Sequence, residues 1–187
     1  MKVAFVSDRT DSHAERFAEA FRSRFAHFAR VVLLLDSGGI PVAEIEGKTE
    51  VGWKEICRAL DSHQFIVVSG PLDTVSSQLE LEACPHIGIS WATDVMVSAA
   101  GSEYELQTMR TTISKLAWVV TDNFATENAL IALGTPPTQI LRFPWGPSSP
   151  SAQSRINRAR WGLPISGKIG LFARSIDRHY QPEVFLR

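Results

Sequence analysis

The sequence predicts an α/β protein built on a doubly wound, mostly parallel sheet. Short apolar runs alternate with stretches of helical periodicity along residues 1–143. The run Val31–Leu35 does not alternate with polar residues, as expected of a parallel strand that is covered on both faces. Polar or glycine-containing turns follow several of the runs. In such Rossmann-like sheets ligands gather at the carboxyl ends of the strands, which these turns would occupy.

The apolar runs predict six strands. They are Val3–Val6, Val31–Leu35, Phe65–Val68, His86–Trp91, Trp118–Thr121 and Ile140–Phe143. Gly38, Gly39 and Pro41 predict a loop after the second strand. The residues that follow the strand ends, and that we expect at the ligand-binding edge, are Ser7–Thr10, Ser69–Gly70, Trp91–Asp94 and Asp122–Asn123.

The first helix is predicted to begin at about Ser12. Phe17, Phe21, Phe25 and Phe28 follow at spacings of four, four and three. This spacing predicts that the four rings share one face of the helix and pack on the sheet.

Four further helices are predicted from periodicity. They are Trp53–Leu60, Thr74–Ala83, Glu103–Leu116 and Ala125–Leu133. Asn123 is expected to cap the last of them, and Gly134 with the prolines that follow is expected to end it.

Composition is that of an ordinary globular protein, with 44% hydrophobic and 21% charged residues. The net charge of −1 gives no field that would attract nucleic acid. No signal-peptide core or membrane span is recognised. Cys57 and Cys84 have no CxxC spacing and are expected to be reduced thiols. These observations predict a cytoplasmic location.

The charge is unevenly distributed. Residues 148–187 carry seven Arg or Lys against Asp177 and Glu183, a balance of +5 that leaves −6 for residues 1–147. One interpretation is a site for an anionic ligand in the basic segment. The other is a solvated helix face and a chain end.

Several familiar catalytic and cofactor motifs are missing from the sequence. The turn after the first strand, Ser7–Thr10, contains no glycine, so a dinucleotide site is not expected there. There is no GxxxxGK[ST], no Asp-x-Asp and no Gly-x-Ser-x-Gly, and the five histidines lack metal-ligand spacing. We therefore expect neither a cofactor nor a metal site.

The composition of the sequence changes after the last predicted strand. Pro144–Ser151 is rich in proline, glycine and serine, and predicts a linker. A short helix over about 152–161 and a strand at Lys168–Ala173 follow. We expect a Rossmann-like domain over 1–146, a linker with a short helix over 147–166, and the first strand and partial helix of a second domain over 167–187.

Five segments between residues 86 and 187 occur in an order typical of one enzyme family. They are Ile87–Val95, Val119–Gly134, Ile140–Gly146, Arg158–Pro164 and Ile169–Arg174, the last continuing to Val184. Together they resemble the family-4 glycosyltransferases of the GT-B class. The first segment is similar to a Trp-Gly-Ser-Asp stretch of that family, with Ala92 in place of the glycine.

The resemblance implies a retaining glycosyltransferase that moves a sugar from a nucleotide-diphosphate donor to a glycan or lipid-linked acceptor. It assigns 1–146 to the acceptor side, as the GT-B N-terminal domain. It places Arg174, with Arg178 nearby, on the donor diphosphate without a metal. A lipid-linked acceptor would bring the protein to a membrane surface. The family's Glu-x7-Glu pair is absent, so the resemblance also implies a chain truncated before the second Rossmann domain is complete and inactive alone.

Four acceptor-side candidates follow from their positions at strand ends. Asp94 is the candidate carboxylate, with a helix cap or Asx turn as the alternative. Trp91 would stack on a sugar, or else pack in the core. Ser7 and Asp8 would face the acceptor, or else Asp8 caps the first helix.

Two other classes of function stay open. One is a non-catalytic Rossmann-like binding or regulatory module. In such a chain the strand over 169–172 would pair or swap with a second copy to form a homodimer. The other is an epimerase-like hydrolase, which shares the GT-B arrangement.

Overall fold

The computed structural model describes residues 1–8, 12–35 and 39–143, together with Gly162 and Ser166. The chain divides into two units, Met1–Trp145 and Gly146–Arg187. The linker helix, the strand at Lys168–Ala173 and the arginines predicted to bind the donor phosphate all lie outside the described residues. Every element below belongs to the first unit.

Eight described strands form one sheet. They are β1 (Lys2–Asp8), β2 (His27–Leu35), β3 (Pro41–Ile45), β4 (Lys48–Val51), β5 (Phe65–Ser69), β6 (His86–Ile89), β7 (Trp118–Thr121) and β8 (Ile140–Arg142). Their order is β4-β3-β2-β1-β5-β6-β7-β8. β1, β2, β5, β6, β7 and β8 pair in parallel, and β3 and β4 add an antiparallel hairpin at one edge. The predicted α/β class and mostly parallel sheet are confirmed.

Five described α-helices flank the sheet. They are α1 (Ser12–Arg22), α2 (Trp53–Ser62), α3 (Thr93–Ala99), α4 (Glu103–Ser114) and α5 (Phe124–Ala132). β2 lies on one side of β1, whereas β5, β6, β7 and β8 lie on the other side. Right-handed crossovers therefore place α1 on one face of the sheet and the later helices on the other face. The sheet is therefore doubly wound.

The two faces of the sheet bury separate apolar clusters. On the α1 face, Phe5 packs against Phe17 and Phe21, with ring centroids 6.1 and 5.8 Å apart. On the other face, clusters centred on Val67 and Val119 are covered by helices α2, α4 and α5. Alternate residues of β1 belong to opposite clusters, as the pleat requires. Each large side chain buried in this way contributes about 1.5–3 kcal/mol.

The predicted four-ring helix face is wrong in its second half. α1 ends at Arg22, Phe25 lies in the turn that follows, and Phe28 lies in β2. Residues 27–33 pair with β1, and this pairing ends the helix early. The rings nevertheless share one cluster, because Phe28 stacks on Phe21 with centroids 6.1 Å apart.

The predicted helix over 74–83 is also wrong. A single 3-10 turn, Ser76–Gln78, stands in its place. The carboxylate of Asp61, near the end of α2, accepts the backbone N–H groups of residues 82–84 at 3.0–3.1 Å. These tertiary hydrogen bonds hold the segment in a non-helical conformation, so they override its helical periodicity.

Sequence analysis missed the β3–β4 hairpin and helix α3. Pro41 was interpreted as part of a loop, whereas it is the first residue of β3, a strand position that proline tolerates. Glu46 and Gly47, at φ of 50° and 79°, form a two-residue turn between the strands. β3 alternates between buried and less buried residues, and β4 is mostly polar. Neither strand is a continuous apolar run, so neither was predicted.

Both cysteines are free thiols, as expected, with Cys57 buried and Cys84 half-buried. Burial raises the pKa of both thiols, that of Cys84 to about 11, so neither is ionised at neutral pH. Among the described residues, no helix has the length and apolarity needed to cross a membrane.

Candidate functional site

The carboxyl ends of the parallel strands define one edge of the sheet. The order of the strands reverses between β1 and β5, which are hydrogen-bonded neighbours. A crevice outside such a reversal is where open α/β sheets bind ligands. The predicted candidates Ser7 and Asp8 end β1, while Trp91 and Asp94 follow β6, so the fold does place all four at this edge.

Ser7 is fully buried, and its hydroxyl has no hydrogen-bond partner among the described residues. It alternates with Phe5 along β1 and therefore faces α1. On the neighbouring chain segment, Gly70 follows the last residue of β5, and its N–H donates to the carbonyl of Val6 at 3.3 Å. An unpaired buried hydroxyl costs about 1–3 kcal/mol, so Ser7 is an unused polar group at the strand reversal. Asp8, the next residue, is half-buried.

A buried polar network joins the end of β5 to the start of β6. The hydroxyl of Ser69 lies 2.7 Å from that of Ser76 and 2.6 Å from Nε2 of His86. The hydroxyl of Ser76 donates to the carbonyl of Pro71 at 3.4 Å. No sequence signal indicated this network, because His86 was considered only as a possible metal ligand.

The network assigns the proton of His86. Its Nδ1 is buried without a partner among the described residues. A bare lone pair there is less costly than a buried N–H, so the proton belongs on Nε2 and donates to Ser69. Each hydroxyl then donates to the next acceptor along the chain from Ser69 to Pro71. Burial, with a smaller contribution from the charge of Lys115, lowers the pKa of His86 to about 4.

Asp94 is buried and does not face an open cleft, contrary to our expectation. Its side chain is 4% exposed. One carboxylate oxygen accepts the N–H of Leu72 at 2.9 Å, and the other accepts the hydroxyl of Ser90 at 2.7 Å and the N–H of Val95 at 2.9 Å. Burial raises its pKa, partly offset by these three donors. Asp94 is not the helix cap of the alternative either, because Ala92 is the N-cap of α3. Instead, Asp94 fastens the loop after β5 to the loop after β6.

Trp91 occupies a packed position, which favours the core alternative over stacking on a ligand. Its ring stacks on Phe17, with centroids 5.3 Å apart and planes 27° apart. It also approaches Gly70 closely: a Cβ at that position would lie 3.4 Å from Cζ2 of Trp91 and 2.7 Å from the carbonyl oxygen of Ile89. Trp91 therefore joins α1 to the loops after β5 and β6.

The end of β7 carries polar groups that reach solvent. Asn123 caps α5, as predicted, because its Oδ1 accepts the N–H of Thr126 at 2.8 Å. Its Nδ2 donates to Asp122 at 2.6 Å. Asp122 itself is exposed. This pair is an accessible part of the predicted edge.

A second group of side chains, at the first turn of α5 and the end of β8, was not predicted. Phe124, the first residue of α5, is 62% exposed. The guanidinium carbon of Arg142, at the end of β8, lies 4.2 Å from the centre of the Phe124 ring. The Nε–H of Arg142 donates to Glu127, one helical turn further along α5. Strand ends were searched for hydroxyls and carboxylates, so this aromatic–guanidinium pair was overlooked.

A separate cavity of about 780 Å³ lies along α2, lined among others by Trp53, Arg58, Glu80 and Lys115. None of the predicted acceptor-side residues lines it. Within 1–8, 12–35 and 39–143, no three His, Cys, Asp or Glu side chains lie together so as to hold a metal ion.

The fold and the edge described above define a doubly wound, Rossmann-like α/β unit whose sheet reverses between β1 and β5. Comparison of the chain with protein-family models, with curated proteins and with solved structures gives no match.

Proposed function

We propose that this chain is the acceptor-side part of a retaining GT-B glycosyltransferase that uses a nucleotide-sugar donor. The observation that carries the proposal is the reversal of strand order between β1 and β5, with polar groups at the carboxyl edge and no glycine-rich dinucleotide turn after β1. The order of the five family-like segments supports it from the sequence. The acceptor would bind at this edge and the donor on residues that follow Gly146.

In this proposal, the basic segment over residues 148–187 binds the nucleotide-sugar donor. A nucleoside diphosphate leaving group needs positive charge, and Arg174 and Arg178 would supply it through bidentate, charge-assisted hydrogen bonds. A fixed guanidinium aimed at developing negative charge stabilises the transition state without a metal. Asp94 has a different role from the one first expected: it positions the loops of the acceptor edge.

The experiment is a titration of the 187-residue chain with UDP, GDP and ADP, followed by calorimetry. We expect one of them to bind with Kd on the order of 1 mM. Arg174→Ala should then weaken binding at least tenfold, since hydrogen bonds to charged groups contribute about 1.5–3 kcal/mol. Arg24→Ala, an exposed arginine of the first unit, is the matched control. Absence of nucleotide binding, or equal loss in both variants, would contradict the proposal.

A second function is favoured by one observation. The predicted acceptor-side carboxylate, Asp94, is saturated by internal hydrogen bonds, which suits a module that binds without catalysis. Titrations with nucleoside diphosphates and with glycan acceptors separate the two functions. Binding of a nucleoside diphosphate that Arg174→Ala weakens supports the transferase, and glycan binding by a chain that binds no nucleoside diphosphate supports the module.

A further inference from the structure

The corner formed by the ends of β7 and β8 and the first turn of α5 presents an open aromatic ring. One face of Phe124 is covered by the guanidinium of Arg142. The ring is nevertheless 62% exposed, so its other face is open to solvent. Large aromatic side chains are usually buried in part or in whole, so such exposure is unusual in a first helical turn.

The open ring is held in place by its neighbours. Arg142 contacts Phe124 and donates to Glu127, and the side chain of Glu127 is itself 23% exposed. Asn123 is fixed by its hydrogen bonds to Thr126 and Asp122. A ring that is oriented before its ligand arrives loses little conformational freedom on binding, which favours affinity.

The polar groups around the ring offer donors and acceptors side by side. The Nε–H of Arg142 is used by Glu127, while its two terminal amino groups keep their N–H donors. Asp122 accepts one hydrogen bond from Asn123 and has further acceptor capacity. Vicinal hydroxyl groups match such planar carboxylate and guanidinium groups, and the C–H face of a pyranose matches an aromatic ring.

Charge helps to define the ligand. Glu127 pairs with Arg142, and Asp122 adds an exposed carboxylate at the end of the neighbouring strand, so these three groups carry a net charge of −1. A phosphate or a nucleotide would be repelled from this corner, whereas an uncharged sugar would not. The surroundings therefore favour a neutral polyol over an anion.

We infer that Phe124, Asp122 and Arg142 form a binding subsite for one neutral pyranose unit of a glycan. The inference rests on the proposed function in naming a glycan, since that function requires an acceptor. It adds the place of binding, which is the β7–β8 corner. The sugar ring would lie on the open face of Phe124, with its hydroxyls hydrogen-bonded to Asp122, while Arg142 holds the aromatic ring from the opposite face.

The test is a nuclear magnetic resonance titration of the 187-residue chain with glucose, galactose, mannose and N-acetylglucosamine, and with their short oligomers. We expect at least one probe to shift the ring resonances of Phe124 and the Nε–H of Arg142 in a saturable way. Phe124→Ala should weaken that probe at least tenfold, which corresponds to about 1.4 kcal/mol. Phe124→Trp should retain binding and should shift the fluorescence of the new indole on titration.

Phe143→Ala is the matched control. Phe143 is 47% exposed and follows Arg142 directly, so its ring lies on the opposite face of the sheet. The control should bind the probe like the unmodified chain. The inference is overturned if no sugar shifts these resonances, if both alanine variants weaken binding equally, or if UMP binds at Phe124 in preference to the sugars.

The two proposals can fail separately. Sugar binding at Phe124 without nucleotide binding would remove the transferase and keep the subsite. Nucleotide binding that Arg174→Ala weakens, with no sugar-induced shift at Phe124, would keep the transferase and remove the subsite.

Discussion

Replacing Asp94 by asparagine tests whether this carboxylate fastens the loops after β5 and β6. The change preserves shape but replaces one acceptor oxygen with a donor. If the amide oxygen stays with Ser90 and Val95, the amide nitrogen faces the N–H of Leu72, which lies 2.9 Å from the native oxygen. Two buried donors then lack acceptors. At about 1–3 kcal/mol each, reduced by some relaxation, we expect a loss of about 3 kcal/mol of unfolding free energy.

Urea denaturation followed by circular dichroism measures this loss. We expect the midpoint to fall with an unchanged m-value, because the surface exposed on unfolding stays the same. The melting temperature should drop by about 6–12 °C, at about 2–4 °C per kcal/mol for a chain of this size. Asp73→Asn, an exposed neighbour of Leu72, is the control and should change stability by less than about 0.5 kcal/mol.

The pH dependence gives an independent check on Asp94. Burial raises its pKa above the ordinary value of 3.8, so the folded chain holds this proton at a pH where the unfolded chain has lost it. The contribution of Asp94 to stability is therefore full below pH 3.8 and decreases as the pH rises through the folded pKa. Asp94→Asn should lack this decrease. A loss below 1 kcal/mol, or the same pH slope in both proteins, would refute the clamp.

Two further perturbations address the same edge. His86 has its pKa lowered from 6.5 to about 4, so its stabilising contribution is present above pH 6.5 and is lost as the pH falls toward 4, by about 3 kcal/mol in total. Urea midpoints between pH 7.5 and 4 should show this loss, and His86→Gln should flatten it; an equal slope in the variant would contradict the assignment. Gly70→Ala should cost about 1–3 kcal/mol, because the new Cβ would lie 2.7 Å from the backbone oxygen of Ile89. Thermal melting measures this loss, and Ser114→Ala at the exposed end of α4 serves as the control.

The central strands of the parallel sheet were predictable from sequence because they are short apolar runs that are mostly buried on both faces. β5 and β7 appear within one residue of their predicted bounds. The hairpin β3–β4 was not predictable in this way, since its residues alternate between buried and exposed and its turn depends on the positive φ of Glu46 and Gly47. Local pattern also failed over 74–83, where the carboxylate of Asp61 fixes the backbone from a distant helix.

The candidate site was predictable in place and not in detail. Parallel topology alone brings Ser7, Trp91 and Asp94 to one edge. Whether each side chain faces a ligand or a neighbour depends on packing between loops. Phe17 covers Trp91, and Leu72 and Ser90 occupy Asp94. Phe17 and Leu72 cannot be identified as these partners from strand-end position, because Phe17 lies in α1 and Leu72 lies in the loop after β5.

The hydrogen bonds that polar groups at this edge already form restrict where an acceptor could bind. The polar groups at the end of β5 and in the loop after β6 are already hydrogen-bonded within the protein, as the network of Ser69 with His86 and the clamp of Asp94 show. A ligand that displaced them would leave buried groups unpaired, at a cost of about 1–3 kcal/mol each. Phe124 and Asp122 can bind a ligand without any such loss, since both are exposed and Asp122 keeps acceptor capacity beyond its hydrogen bond with Asn123. Under the proposed function, these energies favour the β7–β8 corner as the acceptor site, and Asp94→Asn should weaken sugar binding far less than Phe124→Ala does at a temperature where both variants are folded.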